Sequence, residues 1–373
     1  MSKSKHNNKI IIGILFLFTL ALLFFYLQPS SIKTENKNVE KITNTQNAQD
    51  YPKVSILAQN LDIPWDLTFL PDKSILFTER KGQVRFINKN GNLKQTPVLT
   101  ISDIKLIGEG GLLGIAAHPN FATNNFIYLY YTYSTSNDNT LNRVVRYKFA
   151  NEELTDRKVI VDNIPGSTFH NGGRLKFGPD LLLYITTGDA QKPSSSQDKN
   201  SLAGKILRVT DEGEKAPGNP FNTLVYSYGH RNPQGLAWDK NNRLWETEHG
   251  NSATDEINLI EAGKNYGWPE VRGDETRLGM VSPVIQSSNV TWAPSGATYY
   301  NDKLYFAGLR GAALFELSEG NSLKEYFKGE FGRLRSIVLG PDNMFYVLTS
   351  NRDGRGIPNS DDDKILRVNP EKL

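Results

Sequence analysis

The 373-residue chain contains no cysteine, which excludes disulfides, thiolate metal sites, iron–sulfur clusters and cysteine nucleophiles. Its formal charge of +3 arises within residues 1–50, where Lys3, Lys5, Lys9, Lys33, Lys37 and Lys41 face only Glu35, Glu40 and Asp50. The rest of the chain is balanced, so it lacks the electrostatic footprint of a nucleic-acid binder and no nucleic-acid partner is expected.

Lys3, Lys5 and Lys9 precede an uncharged stretch at 10–27, mostly Ile, Leu and Phe. That length is at the short end of what spans a bilayer and longer than a usual signal-peptide core. Residues 1–27 therefore read as a signal anchor, with the lysines inside and the body on the periplasmic or extracellular face of the cytoplasmic membrane. A cleaved export signal is the alternative. Residues 28–50, rich in Asn, Thr, Lys, Gln and Ser, read as a disordered linker.

From Tyr51 onward short strands end in Gly, Pro, Asn or Asp turns, an all-β pattern. One unit recurs: a turn, an apolar strand, a polar loop and a second strand. It runs at 69–87, 117–149, 177–209, 238–260, 300–317 and 339–368. Pro-Asp marks the turn at Asp72, Asp180 and Asp342, and Lys-Ile-Leu-Arg-Val recurs at 205–209 and 364–368. Six copies predict a six-bladed β-propeller of four-stranded antiparallel blades over 51–373, preceded by the anchor helix. A strand at 51–59 is expected to complete the sixth blade. An array of β-sandwiches leaves the recurring Lys-Ile-Leu-Arg-Val unexplained.

Ligand sites in such a ring gather where loops of several blades converge, so loops that break the repeat are the candidates. Glu109-Gly-Gly-Leu-Leu-Gly114 reads equally as a tight turn. Gly166-Ser-Thr-Phe-His170-Asn-Gly-Gly-Arg174 sets an imidazole, which titrates near neutral pH, among residues that permit close backbone approach. By itself it could equally be a surface turn. Gly229-His-Arg-Asn-Pro-Gln-Gly235 places Arg231, a permanently charged fork suited to an oxyanion, between glycines. A structural arginine capping carbonyls is the alternative. Thr247-Glu-His-Gly-Asn-Ser-Ala-Thr-Asp-Glu256 joins carboxylates to a turn that offers carbonyls, the donors a hard cation prefers. Arg333 and Arg335 lie two apart, which on a strand means one face, and two like charges there point to an anion between them.

Taken in order, the stretches at 109–114, 170–175, 229–236, 255–268, 293–296 and 332–335 resemble the soluble, pyrroloquinoline-quinone-dependent aldose sugar dehydrogenases of the glucose/sorbosone dehydrogenase family. The resemblance covers nearly all of 51–373. It implies that His170 is the general base for the anomeric hydroxyl, that Asp189 orients it, and that Arg231 polarises the quinone. It implies cofactor contacts from Glu109, Asn232, Arg310, Arg333 and Arg335. It also implies Ca²⁺ on the carbonyls of Gly250 and Asn251, and a second calcium at Glu256, Tyr266 and Asp274. The expected partners are an aldose and an external electron acceptor, for a monomer or homodimer.

The chain departs from the family at three places. Asn251 stands where many relatives have proline, Phe169 where glucose-type relatives have an acidic residue, and Ser288-Asn289 where a tryptophan is common. The sugar preference is open at that point. A Ca²⁺-dependent lactonase and a non-catalytic sugar- or protein-binding propeller remain alternatives. No Gly-x-Gly-x-x-Gly follows a strand, which argues against a nicotinamide cofactor.

Overall fold

In the computed structural model, which describes residues 51–135 and 139–373, six four-stranded antiparallel sheets form a ring. The expected anchor and linker lie outside the described residues. Among the described residues no helix is long and apolar enough to cross a membrane. The first strand of each sheet faces the axis: β2 (Pro64–Phe69), β6 (Leu112–Ala117), β10 (Leu175–Phe177), β14 (Pro233–Trp238), β18 (Pro294–Tyr300) and β22 (Leu334–Leu339). Residues of all six line a central channel of about 290 Å³. The expected propeller is the observed fold.

Ring closure comes from the two ends of the repeat. β1 (Val54–Ala58) adds to β24 (Ile365–Val368) with Val54 opposite Val368 and Ile56 opposite Leu366. The sixth blade is thus built from both ends of the ring, as the strand expected at 51–59 implied.

The middle strands are apolar on both faces because each sheet is sandwiched between two others. In β7 (Phe126–Tyr133), Leu129 and Tyr131 pack towards the first blade, while Tyr128 and Tyr130 pack towards the third. In β23 (Phe345–Thr349), Phe345 and Val347 meet the fifth blade, and Tyr346 and Leu348 meet the first. Alternation here is in packing partner rather than in polarity, the period-2 geometry of a strand buried twice.

The recurring turn and the recurring Lys-Ile-Leu-Arg-Val have one physical cause. Asp180 in the third blade accepts from the Tyr184 hydroxyl at 3.1 Å and from Arg208 Nε at 2.9 Å. Asp342 in the sixth accepts from the Tyr346 hydroxyl at 2.9 Å and pairs with Arg367. The turn carboxylate therefore ties the first hairpin to the third strand.

Because neighbouring strands are antiparallel, the loops entering each first strand and those joining second to third strands open at the same end. Five inner strands also carry a register shift near their start, at Pro64/Asp66, Leu112/Ile115, Pro233/Gly235, Pro294/Ala297 and Leu334/Ser336. Such bulges bend the strand and re-aim side chains. They do so at the mouth holding the candidate residues.

Candidate active site

A cavity of about 410 Å³ opens at this mouth, lined among others by Glu109, His170, Arg231, Gly250, Asn251 and Arg310. These residues come from four of the six blades, and Arg355 adds a fifth, which explains why they lie so far apart in sequence.

His170 enters in the left-handed region, at φ 59°, on the loop before β10. Two contacts hold it there. Its N–H donates to Glu109 Oε2 at 3.2 Å, and Ala190 N donates to its carbonyl at 3.2 Å. Gly188 makes the approach possible, since a Cβ there would sit 1.9 Å from the His170 oxygen. The ring's Nδ1 lies 2.8 Å from Oδ1 of Asp189, which is fully buried. That carboxylate also accepts from Gln191 N and from Trp268 Nε1, both at 2.8 Å. A group taking two other donors serves as acceptor for Nδ1–H as well. This assigns the tautomer and leaves Nε2 as the proton acceptor, with no protein partner among the described residues.

Glu109 bridges the base to the rim. Its second oxygen accepts from Arg355 Nη1 at 2.6 Å. Burial raises the Glu109 carboxyl, but His249 and Arg355 outweigh it and hold it below the ordinary range. The imidazole of His249 is itself pushed down to about 4, chiefly by burial, so Arg355 is the lasting positive partner.

Arg231 is anchored through its backbone, whose N–H donates to Glu248 Oε1 at 3.0 Å, and through Nη1 to the His249 carbonyl at 3.2 Å. Its guanidinium lies 5.3 Å from the Trp268 ring centroid. Burial lowers its pKa. Asn232 is fully buried, with Oδ1 accepting from Gly172 N at 3.1 Å. Three buried donors around this mouth, Arg231 Nε, Asn232 Nδ2 and Arg335 Nε, have no acceptor among the described residues. Unsatisfied buried donors are uncommon, and a cluster of them marks a place for an acceptor-rich ligand.

The two late arginines share a protein carboxylate. Arg333 donates to Asp353 Oδ2 through Nε at 3.1 Å and Nη2 at 2.9 Å, and Arg335 Nη2 lies 3.9 Å from the same oxygen. The anion between them is in the first place Asp353. Burial raises that carboxyl, and Arg335 and Arg333 more than offset this, so its pKa is lowered. Arg335 also donates to Gln234 Oε1 at 2.8 Å, and its burial lowers it to about 9, still charged at neutral pH. Arg310 differs from both: it is exposed at the cavity and has no ion-pair partner among the described residues.

The Gly250 turn is tight. A Cβ on Gly250 would meet the Ala253 and Thr254 carbonyl oxygens at 2.1 and 2.3 Å. Asp255 braces it, accepting from Gly250 N at 2.9 Å and from Trp292 N and Ala293 N at 2.7 and 2.8 Å. The carbonyls of Gly250 and Asn251 accept no hydrogen bond among the described residues. They are free oxygen donors at the cavity wall, the kind a hard cation takes.

The residues expected to share a second calcium hold three separate sets of partners. Glu256 accepts from Gly273 N at 2.8 Å, the Tyr266 hydroxyl donates to the Leu259 carbonyl at 2.8 Å, and Asp274 accepts from Gln286 at 2.6 Å. Among the described residues, His230, Glu246 and Glu248 place ligand atoms within 4.8 Å of one another.

Trp268, Asp353 and Arg355 have no individual role in the sequence. Trp268 donates to Asp189 and so helps to hold that carboxylate. Asp353 and Arg355 sit in Arg352-Asp-Gly-Arg355, a charged stretch with a glycine that could have signalled a loop turned inward.

The glucose/sorbosone dehydrogenase family model matches residues 61–365. Aldose sugar dehydrogenase YliI of Escherichia coli is 32% identical, over 85% of this chain and 92% of its own length. Quinoprotein glucose dehydrogenase B of Acinetobacter calcoaceticus is 35% identical over 61% of this chain and 54% of its own. The PQQ-bound aldose sugar dehydrogenase of Streptomyces coelicolor superposes with a TM-score of 0.79 at 39% identity, covering 85% of this chain and 98% of that one. With one model spanning almost the whole ring and relatives matched nearly end to end, the chain belongs to the glucose/sorbosone dehydrogenase family.

Proposed function

We propose that the chain is a quinoprotein that oxidises aldose sugars at C1 to the lactone. The observation carrying this reading is the His170–Asp189 pair, which leaves Nε2 as a proton acceptor in the mouth cavity. The residues present fit pyrroloquinoline quinone and calcium. The unsatisfied donors of Arg231, Asn232 and Arg335, with Arg310, which has no ion-pair partner among the described residues, suit a ligand bearing carboxylates, whereas Arg333 is taken up by Asp353. Glu109 borders the same space, and the carbonyls of Gly250 and Asn251 suit calcium. Bound there, the quinone supplies the acceptor for the hydride that leaves C1.

His170 Nε2 takes the hydroxyl proton as the C1–O bond becomes a carbonyl. Asp189 keeps the ring in the tautomer that can do so and stabilises the imidazolium that forms, while Trp268 and Gln191 fix the carboxylate. Arg231, charged and partly desolvated beside Trp268, provides positive potential where negative charge develops. Electrons then pass to an external acceptor, which suits a body on the outer face of the membrane.

Purified chain should reduce a redox dye with aldoses only after quinone and calcium are added, and His170→Ala should abolish turnover while quinone still binds. Absence of dye reduction across a broad aldose panel would overturn the assignment. Lactone hydrolysis without quinone would replace it with a hydrolase.

A further inference from the structure

Next to the base stands an aromatic side chain whose exposure the fold does not require. Phe169 is 37% exposed, yet its loop is among the most constrained at the mouth. Ser167 Oγ and Phe169 N both donate to Gln191 Oε1, at 2.7 and 3.3 Å. Asn171 Nδ2 donates to the Ser167 carbonyl at 2.8 Å, and Glu109 N to the Thr168 carbonyl at 2.8 Å. A loop this firmly held keeps its ring open to solvent by construction.

Arg355 lies over one face of its ring and leaves the opposite face for a ligand. The guanidinium carbon lies 5.4 Å from the Phe169 centroid, and the side chain is 46% exposed. Nη1 is committed to Glu109, which leaves the other guanidinium N–H groups without a protein partner among the described residues. An aromatic face next to free, planar N–H donors is the chemistry that receives a sugar ring. The C–H face lies on the aromatic, and neighbouring hydroxyls accept from the guanidinium.

Depth decides which ring this is. His170 is 19% exposed and lies deeper than either residue. The 410 Å³ cavity is near the low end for a site that encloses a drug-sized ligand. A sugar ring presented to His170 Nε2 therefore lies below Phe169 and Arg355, and a ring attached to it extends over them.

We propose that Phe169 and Arg355 form a subsite for the second ring of a reducing-end di- or oligosaccharide whose first ring is presented to His170. The proposal deepens the dehydrogenase reading and rests on it for the placement of the first ring. Phe169 is then a specificity residue, a platform that rewards chain length.

The test compares cellobiose with glucose on the quinone- and calcium-loaded full chain, alongside calorimetric binding of methyl β-cellobioside and methyl β-glucoside, which lack a free anomeric hydroxyl. The kcat/KM ratio of cellobiose to glucose should fall about five- to tenfold in Phe169→Ala and be retained in Phe169→Trp. The tighter binding of the cellobioside should disappear in Phe169→Ala. A ratio unmoved by Phe169→Ala, or equal binding of the two glycosides to the wild-type chain, overturns the subsite. If neither sugar is oxidised but the cellobioside still binds more tightly through Phe169, the dehydrogenase reading fails and the subsite stands.

Discussion

Because Asp189 accepts from His170, Gln191 and Trp268 at once, replacing it by asparagine would turn an NH₂ group towards at least one of three donors. With its oxygen kept on His170 and Gln191 the NH₂ would oppose Trp268 Nε1, and in either orientation the imidazolium would lose the negative charge that stabilises it. Asp189→Asn should lower kcat by about 10²- to 10⁴-fold, the usual worth of a positioned general base, with a smaller change in quinone affinity. Steady-state dye reduction and a quinone titration separate the two, and a kcat within a few-fold of wild type would remove Asp189 from the role. At this scale legibility followed sequence distance. His170 was visible because glycines flank it, whereas Asp189 gained a role only through the family resemblance. Arg355 was invisible because Glu109, the residue that gives it a place, lies 246 positions away.

At the scale of the strand and its turns, the sequence spoke more clearly. The Pro-Asp turn and Lys-Ile-Leu-Arg-Val revealed the repeat before the bond between Asp and Arg explained it. The bulges at the mouth were not readable, because an extra residue in one strand shows only against its partner. The fifth blade shows what one buried carboxylate does for a sheet. Burial pushes Glu316 up, but Lys303, Tyr326, Ser318 and Tyr305 outweigh this and hold it at about 2. A folded pKa below the unfolded one gives stability that is complete above the ordinary glutamate range and is lost as pH falls towards 2. Acid unfolding followed by tyrosine fluorescence should therefore steepen between about pH 4.5 and 2. Glu316→Gln should flatten that limb while lowering stability at neutral pH, and an unchanged acid limb would contradict the assignment.

The ring behaves as one body because each sheet is buried by two neighbours and no blade can lose its place alone. The closing pair is the sensitive point. A proline at Ser55, which pairs with Arg367 on the outer edge of the blade, would remove a ladder bond and cost about 1–3 kcal/mol. Calorimetry of Ser55→Pro should show a single transition moved down by roughly 1.5–4.5 °C, given an unfolding entropy of about 2.1 cal/mol/K per residue over the ring. Two separate transitions would mean that blades melt independently. The six-fold architecture was legible whole, since a period repeated six times is hard to mistake, whereas the assembly of the mouth needed all the blades in place.

Val54 finds its partner in Val368, and that pairing has a history as well as a strength. At about 5–20 residues per second, the first strand of the ring waits roughly 15–60 s for the last to be made. For that interval its backbone groups form an open edge, the feature that invites pairing with other chains. The finished ring pairs one side of that strand with β24, and long-range pairings of this kind also slow folding. The chain is most vulnerable during its own synthesis, at a strand on the opposite edge of the blade from the channel.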